Sequence, residues 1–208
     1  VGARFDDRIT GKVSGFSPKS KKVHFDIDAS SFNKSVNVDL TVQGDLSKIL
    51  QIINKKIEEK KISFKRKKIK DWWLQINKWR SKDCLKFKNS NKIIKPQYAL
   101  KRLDHLTKKY NPFITTEVGQ HQMWAAQFLT FNRPKHWMTS GGLGTMGYGL
   151  PAAMGVQIAH PNSLVIDVAG EASILMNIQE MSTIKQFRLP VKVFILNNHY
   201  MGMVRQWQ

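Results

Sequence analysis

The chain has 208 residues, of which 41% are hydrophobic and 24% are charged, and its formal net charge at pH 7 is +19. This length and apolar content allow one large domain or two smaller domains with a buried core. The single cysteine, Cys84, excludes an internal disulfide framework and a metal site made of cysteines alone. No stretch reaches the roughly 18 apolar residues that span a bilayer, and the opening VGARFDD has no signal-peptide pattern, so we expect a soluble, intracellular protein located in the cytoplasm.

Residues 1–59 are predicted to form the later part of an α/β nucleotide-binding domain. KKVHFDID (21–28) is typical of a buried strand, and LTVQGD (40–45) of a second short strand and a turn. Residues 45–59 then show apolar positions at helical spacing, with Asp45 placed to cap the helix. Two strands are too few to complete an open sheet, so we expect residues 1–59 to be only the later part of this domain.

Residues 60–95 are predicted to be a basic linker. Most of the positive charge of the chain lies between residues 55 and 109, including the run EEKKISFKRKKIK. Such a run can bind phosphate backbones, but no nucleic-acid fold motif accompanies it. We therefore favour a solvated, lysine-rich linker and helix face, and expect neither a nucleic-acid nor a membrane partner. Trp72, Trp73 and Trp79 are interpreted as packing residues on one helix face.

Residues 96–208 contain the pattern of a parallel sheet. A helix is predicted to begin at Pro96, because proline is favoured in the first helical turn. Strands alternating with helices within short distances predict βαβ units and a parallel sheet. The predicted elements are a strand leading into a loop at 113–124, a glycine-rich loop and a small-residue helix at 138–160, a buried strand and turn at 163–173, a helix at 174–187 and a strand at 189–198.

Polar groups follow two of these predicted strands. Glu171 comes after one strand and Asn198 after the next, and ligands of such sheets bind beyond the carboxyl ends of the strands. A carboxylate, an amide oxygen and the backbone carbonyl of Tyr200 are suitable ligands for Mg²⁺. The N–H groups of Ala172 and Ser173 open the next predicted helix, where a phosphate is favoured. The alternative for Glu171 is an ordinary acidic residue at a helix N-terminus, and the local pattern does not decide between the two.

The glycine-rich segment SGGLGTMGYG indicates that backbone comes very close to another group. Met146 within it can offer a polarizable apolar contact to a flat ring. GQH (119–121) supplies an amide and an imidazole that can donate hydrogen bonds to phosphate oxygens. A structural role for His121 is the equally weighted alternative.

Taken together, these motifs resemble the large, catalytic subunit of acetolactate synthase, also called acetohydroxyacid synthase. The resemblance covers nearly the whole chain in order and is weakest over about 55–95. It implies an α/β fold with part of a middle FAD-binding domain at 1–59, the linker at 60–95, and part of a C-terminal thiamine-diphosphate-binding domain at 96–208. The motifs are VGARFDDRITGKVSGF, KKVHFDID, VQGD, TTEVGQHQMWAAQF, TSGGLGTMGYGLPAAMG, VIDVAGEAS, MNIQEMSTI, LPVKVFILNN and MGMVRQWQ.

The resemblance implies binding sites for thiamine diphosphate and Mg²⁺. The family signature begins with Gly-Asp and ends in an Asn pair about 27 residues later; here Gly170-Glu171 and Asn197-Asn198 take those places. By analogy the magnesium ligands are Glu171, Asn198 and the carbonyl of Tyr200. The positions that match contacts to thiamine diphosphate are Val118, Gly119, Gln120, His121, Gly144, Met146, Gly170, Ala172, Ser173, Met176 and Met203. Of these, Gly144 and Met146 match contacts to the aminopyrimidine ring.

The resemblance also implies an FAD site and a substrate pocket. Asp7 and Arg8 match the family's pair near the active-site channel, and Trp207 matches a tryptophan that shapes the pocket for the second substrate. FAD in this family is regarded as structural. The positions that match FAD contacts are Gly2, Ala3, Arg4, Phe5, Asp6, Asp26, Ile27, Asp45 and Leu46.

The chain departs from the family in two ways. Glutamate stands at position 171 where aspartate is usual, and the extra methylene moves the carboxylate by about 1.5 Å at most, one C–C bond. The family's N-terminal domain, which supplies the glutamate that activates the cofactor, has no counterpart before Val1, and the cofactor domain is cut short at Gln208. We therefore expect an internal fragment that contains no catalytic residue of its own and has no activity by itself.

The implied activity of the intact protein is the decarboxylation of pyruvate and its condensation with a second 2-oxo acid, either pyruvate or 2-oxobutyrate. These products lead to valine, leucine and isoleucine. The family works as a homodimer or tetramer of catalytic subunits with a small regulatory subunit. The close alternatives are pyruvate oxidase and glyoxylate carboligase, against which the ending MVRQWQ favours acetolactate synthase. A noncatalytic cofactor-binding fragment and a nucleic-acid-binding protein acting through 55–109 are alternatives from other classes.

Overall fold

The computed structural model describes residues 1–63 and 66–208, without the side chains of Arg66, Lys68 and Trp207. The role predicted for Trp207 therefore lies outside the described side chains. The chain divides into two compact units, Val1–Ser81 and Lys82–Gln208. Both contain parallel strands, so the predicted α/β class is confirmed.

The first unit contains a parallel pair of strands and the helices around it. Strands β1 (Val23–Asp26) and β2 (Leu40–Gln43) pair from Val23 with Leu40 to Asp26 with Gln43. Both strands and the helix after them are where the sequence predicts them, and Asp45 caps that helix by accepting the Lys48 N–H at 3.1 Å. The helices are α1 (Asp7–Thr10), α2 (Leu46–Glu59) and α3 (Arg66–Arg80), with 3₁₀ turns at Val13–Gly15 and Ala29–Ser31.

The prediction that residues 21–28 form a buried strand holds only at His24. The other positions of β1 are exposed or half-buried. Only His24 of this strand is buried, and its ring lies between the rings of Phe5 and Phe32. On α3 the rings of Trp72 and Trp79 make an edge-to-face contact with centroids 5.4 Å apart. Both rings remain about half exposed within the unit.

The second unit is built on a four-stranded parallel sheet in the order β4-β3-β5-β6. β5 lies in the middle of the sheet and is buried along its whole length. Its neighbours are in register with it, Phe113 opposite Val165 on one side and Gly170 opposite Leu196 on the other. The strands are β3 (Phe113–Thr116), β4 (Trp137–Thr139), β5 (Val165–Gly170) and β6 (Lys192–Leu196).

Helices cover both faces of this sheet, and a small apolar core lies on each face. Leu100, Ala125 and Val168 belong to one core, and Leu150, Ala169 and Ile184 belong to the other. Successive residues of β5 face opposite sides of the sheet, so Val168 and Ala169 serve different cores. The helices are α4 (Pro96–Thr107), α5 (Gln120–Phe128), α6 (Gly149–Ala159), α7 (Glu180–Gln186) and α8 (Gly202–Trp207), with 3₁₀ turns at Lys108–Tyr110 and Ile174–Asn177.

Two predicted elements differ from the structure. The segment after β3 is not a loop, because α5 begins at Gln120, directly after the turn at Gly119. The single helix predicted over 174–187 is a 3₁₀ turn followed by α7, and of its apolar positions only Ile174 and Ile184 are buried. Over residues 1–63 and 66–208, no helix combines the length and the apolar character needed to cross a bilayer.

Candidate cofactor site

A cavity of about 210 Å³ lies at the carboxyl ends of β3, β5 and β6. Three segments line it, residues 118–121 after β3, 170–173 at the end of β5, and 198–204 after β6, the last without His199. Gly144 and Met146 from the glycine-rich loop complete the wall. The structure thus brings together nearly all the positions that match thiamine diphosphate and magnesium contacts, from segments up to about 80 residues apart in the chain.

Glycine is required where His121 enters the cavity. A Cβ atom on Gly119 would lie 2.6 Å from the His121 Cε1, and one on Gly170 would lie 2.6 Å from its Nδ1. Gly119 also has a φ of 156°, which side chains other than glycine rarely adopt. The imidazole is therefore packed between the backbone of two strand ends and has little freedom to move.

His121 is buried, and its Nε2 lies 3.5 Å from the Ser173 Oγ. Burial lowers the pKa of His121 to about 4, against the opposing effects of the Glu117 backbone carbonyl and the Glu171 carboxylate. The ring is therefore neutral at pH 7. A neutral imidazole has one N–H donor and one acceptor nitrogen, so it can donate one hydrogen bond to an anionic ligand without contributing a charge.

Oxygen ligands for a cation follow two adjacent strands. Glu171 comes after β5 and Asn198 after β6, and β5 and β6 pair directly. The Asn198 side chain is oriented by two hydrogen bonds, because its Oδ1 accepts the Tyr200 N–H at 3.1 Å and its Nδ2 donates to the Gln120 Oε1 at 3.4 Å. A carboxylate, an amide oxygen and a backbone carbonyl match the hard oxygen ligands that Mg²⁺ prefers, so the residues present fit this metal.

The expected helix N-terminus at Ala172 and Ser173 is a short 3₁₀ turn, Ile174–Asn177. The Ser173 side chain accepts the Gly170 N–H at 3.2 Å and so closes the turn after β5. A turn of four residues has a much smaller dipole than a full helix. The attraction for a phosphate at this point therefore depends on individual N–H groups.

Met176 is not placed at the cavity. Its side chain is 52% exposed, and its Cβ lies beside Gly147. Met176 lies in the 3₁₀ turn before α7 and not in a continuous helix. Met203, by contrast, lies on α8 and lines the cavity.

Sequence reasoning missed several residues of this region. Trp124 and Leu196 line the cavity, as does Gly202, where a Cβ atom would collide with the Gln120 side chain. Trp124 stands four residues after Gln120 on α5, so recognising that helix would have placed both on one face. Two buried acids, Glu117 and Asp167, were also missed, although each stands within or directly after an apolar strand.

The positions that match FAD contacts lie in the first unit, near the carboxyl ends of β1 and β2. The Gly2 N–H donates to the Phe25 carbonyl at 2.8 Å, which aligns the N-terminal segment with β1. The Gly44 N–H donates to the Asp26 carbonyl at 2.9 Å and joins the two strand ends. The remaining matched positions flank these contacts in the segments 2–6, 26–27 and 45–46.

Asp7 and Arg8 form the first turn of α1. Asp6 caps this helix, because its Oδ1 accepts the Ile9 N–H at 3.2 Å. Asp6, a position that matches an FAD contact, thus has a local structural role in addition to any ligand it binds.

Comparison with known proteins was consistent with this arrangement. Residues 117–208 match the family described as "Thiamine pyrophosphate enzyme, C-terminal TPP binding domain", and residues 1–53 match "Thiamine pyrophosphate enzyme, central domain". The whole chain is 46% identical to the acetolactate synthase isozyme 3 large subunit of Escherichia coli and 43% identical to the acetolactate synthase large subunit of Haemophilus influenzae. It is 46% identical to the chloroplastic acetolactate synthase of Arabidopsis thaliana.

The chain spans 36% of the length of the two bacterial relatives and 31% of the plant relative. The two matched domains occur in the order central domain, then C-terminal domain, with residues 54–116 outside both matches. The chain therefore belongs to the thiamine pyrophosphate enzymes, and over its whole length its homologues include acetolactate synthase large subunits.

Proposed function

We propose that this chain is part of an acetolactate synthase large subunit and that its cavity binds thiamine diphosphate together with Mg²⁺. The observation that supports this most directly is the position of Glu171 and Asn198. They stand 27 positions apart, follow adjacent parallel strands, and line one cavity with Gln120 and His121. The intact protein would decarboxylate pyruvate and condense it with pyruvate or 2-oxobutyrate, a transfer of an aldehyde or ketone residue that leads to branched-chain amino acids.

Each group at the strand ends has a separate task in this proposal. Bound thiamine diphosphate would supply the carbon nucleophile and electron sink for decarboxylation. Glu171, Asn198 and the Tyr200 carbonyl would hold Mg²⁺, which neutralises the diphosphate. Gln120 and the neutral His121 would donate hydrogen bonds to phosphate oxygens without adding charge to the metal site.

We propose the same family roles for the remaining positions. The residues of the first unit that match FAD contacts would bind FAD as a structural cofactor. Asp7 and Arg8 would have the role of the family's pair near the active-site channel, and Trp207 that of the tryptophan that shapes the pocket for the second substrate. The relatives named as large subunits support a catalytic subunit that assembles with a regulatory one. A homodimer or tetramer of catalytic subunits in the cytoplasm completes the proposal.

The test of catalytic function is a chimera. Residues 1–208 would replace the matching segment of the Escherichia coli isozyme 3 large subunit in a strain without acetolactate synthase activity. Growth without valine and isoleucine, together with acetolactate formation from pyruvate, is expected. A stable chimera that binds thiamine diphosphate but forms no acetolactate would refute the assignment.

The test of the metal ligand is a series at position 171. The affinity of the 208-residue chain for thiamine diphosphate at saturating Mg²⁺ is measured by calorimetry. Glu171→Ala should weaken binding by more than tenfold, because a metal ligand is lost, whereas Glu171→Asp should change it only severalfold. Glu180→Ala, which removes a carboxylate outside the cavity, is the matched control. Equal affinity in the wild type and Glu171→Ala would exclude Glu171 as a ligand.

A further inference from the structure

Glu117 is a buried carboxylate that none of the proposed cofactor contacts uses. It follows β3 directly, and its side chain is fully buried. Its Oε2 accepts the Gly147 N–H at 2.7 Å, and its Oε1 accepts the Leu150 N–H at 2.9 Å. Both oxygens are thus directed at backbone donors from a segment 30 or more residues later in the chain.

These two donors lie at the junction between the glycine-rich loop and α6. Gly147 is the last glycine of the loop, and Leu150 lies in the first turn of the helix. First-turn N–H groups have no partner within their own helix, and Tyr148 at the N-cap makes no side-chain hydrogen bond to them. A carboxylate at this point also complements the helix dipole. Glu117 therefore caps α6 from the neighbouring strand and joins the loop to the sheet.

The junction has no free space. A Cβ atom on Gly149 would lie 2.6 Å from the Glu117 backbone nitrogen and 2.7 Å from the Thr116 carbonyl carbon. The Gly147 carbonyl accepts a hydrogen bond from the Asn177 Nδ2 at 2.7 Å. Gly147 is therefore fixed through its N–H and its carbonyl at the same time.

The part of the loop that reaches the cavity has far fewer contacts. Leu143 is 95% exposed, and the Thr145 N–H donates to the Ser140 Oγ within the loop itself. Gly144 and Met146, which line the cavity, stand one to three residues before the fixed Gly147. Their position depends on where Gly147 is held.

The surroundings keep the negative charge on Glu117. Asp167 lies beside it in the core, accepts one hydrogen bond, from the Thr115 Oγ1 at 3.0 Å, and leaves its Oδ2 without a partner among the described residues. Burial and the neighbouring Glu117 raise the pKa of Asp167 to about 7. Burial also raises the pKa of Glu117, but the backbone N–H donors oppose that shift. The carboxylate with the N–H donors is the one better suited to carry the charge.

We propose that Glu117 is a positioning residue, which fixes the glycine-rich loop so that Gly144 and Met146 form the cavity wall that contacts the pyrimidine end of thiamine diphosphate. The identity of the ligand rests on the function proposed above; the contact between Glu117 and the loop does not. The Glu117 carboxylate binds the backbone that follows Gly144 and Met146, and it does not line the part of the cavity that is assigned to the diphosphate. Removing the Glu117 carboxylate should therefore weaken the binding of ligands that have a pyrimidine ring and leave the binding of ligands without one unchanged.

The experiment compares two ligands on Glu117→Gln in the 208-residue chain. The glutamine keeps the size of the side chain, but its NH₂ group replaces one acceptor and faces a backbone N–H. The dissociation constant for thiamine diphosphate with Mg²⁺ should rise tenfold or more, and that for inorganic pyrophosphate with Mg²⁺ should stay within twofold of the wild type. Asp167→Asn, which replaces the neighbouring buried acid by a neutral side chain of the same shape, is the control and should leave both constants within twofold.

A similar loss of affinity for both ligands would overturn the proposal, because it indicates a general structural role. Unchanged affinity for both ligands would also overturn it, because Glu117 would then have no role in binding. If Glu117→Gln does not fold, Glu117→Asp takes its place with the same expected difference between ligands. Hydrogen exchange gives a readout without ligand. The Gly147 and Leu150 amides should exchange about tenfold faster or more in Glu117→Gln, with Val168 unchanged. Failure of the wild type to bind either ligand would refute the proposed function, and the exchange rates would still decide the role of Glu117.

Discussion

Replacing Gly149 by alanine tests how closely α6 is packed on the strands that lead to the cavity. The new methyl group would collide with the Asp167 Oδ1 and with the backbone at Thr116 and Glu117. Backbone atoms of a central sheet cannot rotate away as the end of a flexible side chain can. The helix must therefore move outward, and the hydrogen bonds from its first turn to Glu117 lengthen.

The change in the free energy of unfolding of Gly149→Ala combines two destabilising effects and one stabilising effect. Overpacking of a dense core costs about 1–3 kcal/mol, and weakening a hydrogen bond to a charged group adds about 1.5–3 kcal/mol. Alanine is better than glycine within a helix by about 1 kcal/mol. The collision outweighs the gain in helix propensity, and we expect a net loss of about 1.5–5 kcal/mol in the free energy of unfolding.

Gly155 provides a matched control on the same helix. A Cβ atom there meets nothing within 4 Å, so Gly155→Ala should stabilise the chain by about 1 kcal/mol through helix propensity alone. The two alanine variants should therefore differ by at least about 2.5 kcal/mol, which is at least about 0.8–2.5 M in the urea midpoint. Urea unfolding followed by circular dichroism measures this difference. A Gly149→Ala variant as stable as the wild type would refute the packing described for this junction.

Three further outcomes are expected. The pKa of Asp167 is raised from 3.8 to about 7, so the folded chain binds more protons than the unfolded chain between these pH values. The free energy of unfolding should therefore fall as pH rises from 3.8 to about 7, by at most about 4 kcal/mol. Asp167→Asn should remove this fall in urea titrations, and an unchanged pH profile would contradict the assignment. The pKa of His121 is lowered from 6.5 to about 4, so its contribution to stability is complete above pH 6.5 and is lost as pH falls towards 4; an imidazole NMR titration centred near pH 6.5 would be inconsistent with its burial. Gly202→Ala should displace the flexible Gln120 side chain, leaving the urea midpoint near the wild type while weakening thiamine diphosphate binding about tenfold, and unaltered affinity would argue against a role for Gln120.

Local patterns in the sequence predict an element well when its own residues determine it. The helix at α2 has a capping aspartate, Asp45, and a regular apolar face, and both its start and its end agree with the structure. The central strand β5 is an uninterrupted apolar segment that ends at Gly170, so its type and its end are visible in the sequence. The family motifs add the cofactor and the expected ligand positions to these elements.

Elements without a local signal are the ones the sequence does not predict. α5 begins at Gln120, and no side chain caps it at Gly119; His121 in its first turn packs instead between two strand ends. The break between Ile174–Asn177 and α7 is likewise invisible in an apolar pattern that continues through it. The sequence therefore predicts Trp124 in a loop and Met176 in a continuous helix, whereas they lie on α5 and in the 3₁₀ turn.

The sequence by itself determines the order of strands and helices, the family, and the spacing between Glu171 and Asn198. It does so because parallel strands, caps and glycine turns depend on neighbouring residues. Only the tertiary structure shows that Glu117 meets the N–H groups of Gly147 and Leu150 and lies beside Asp167. These groups come from strands and a helix distant in the chain, and their contacts depend on how the sheet is ordered and how closely α6 packs against it.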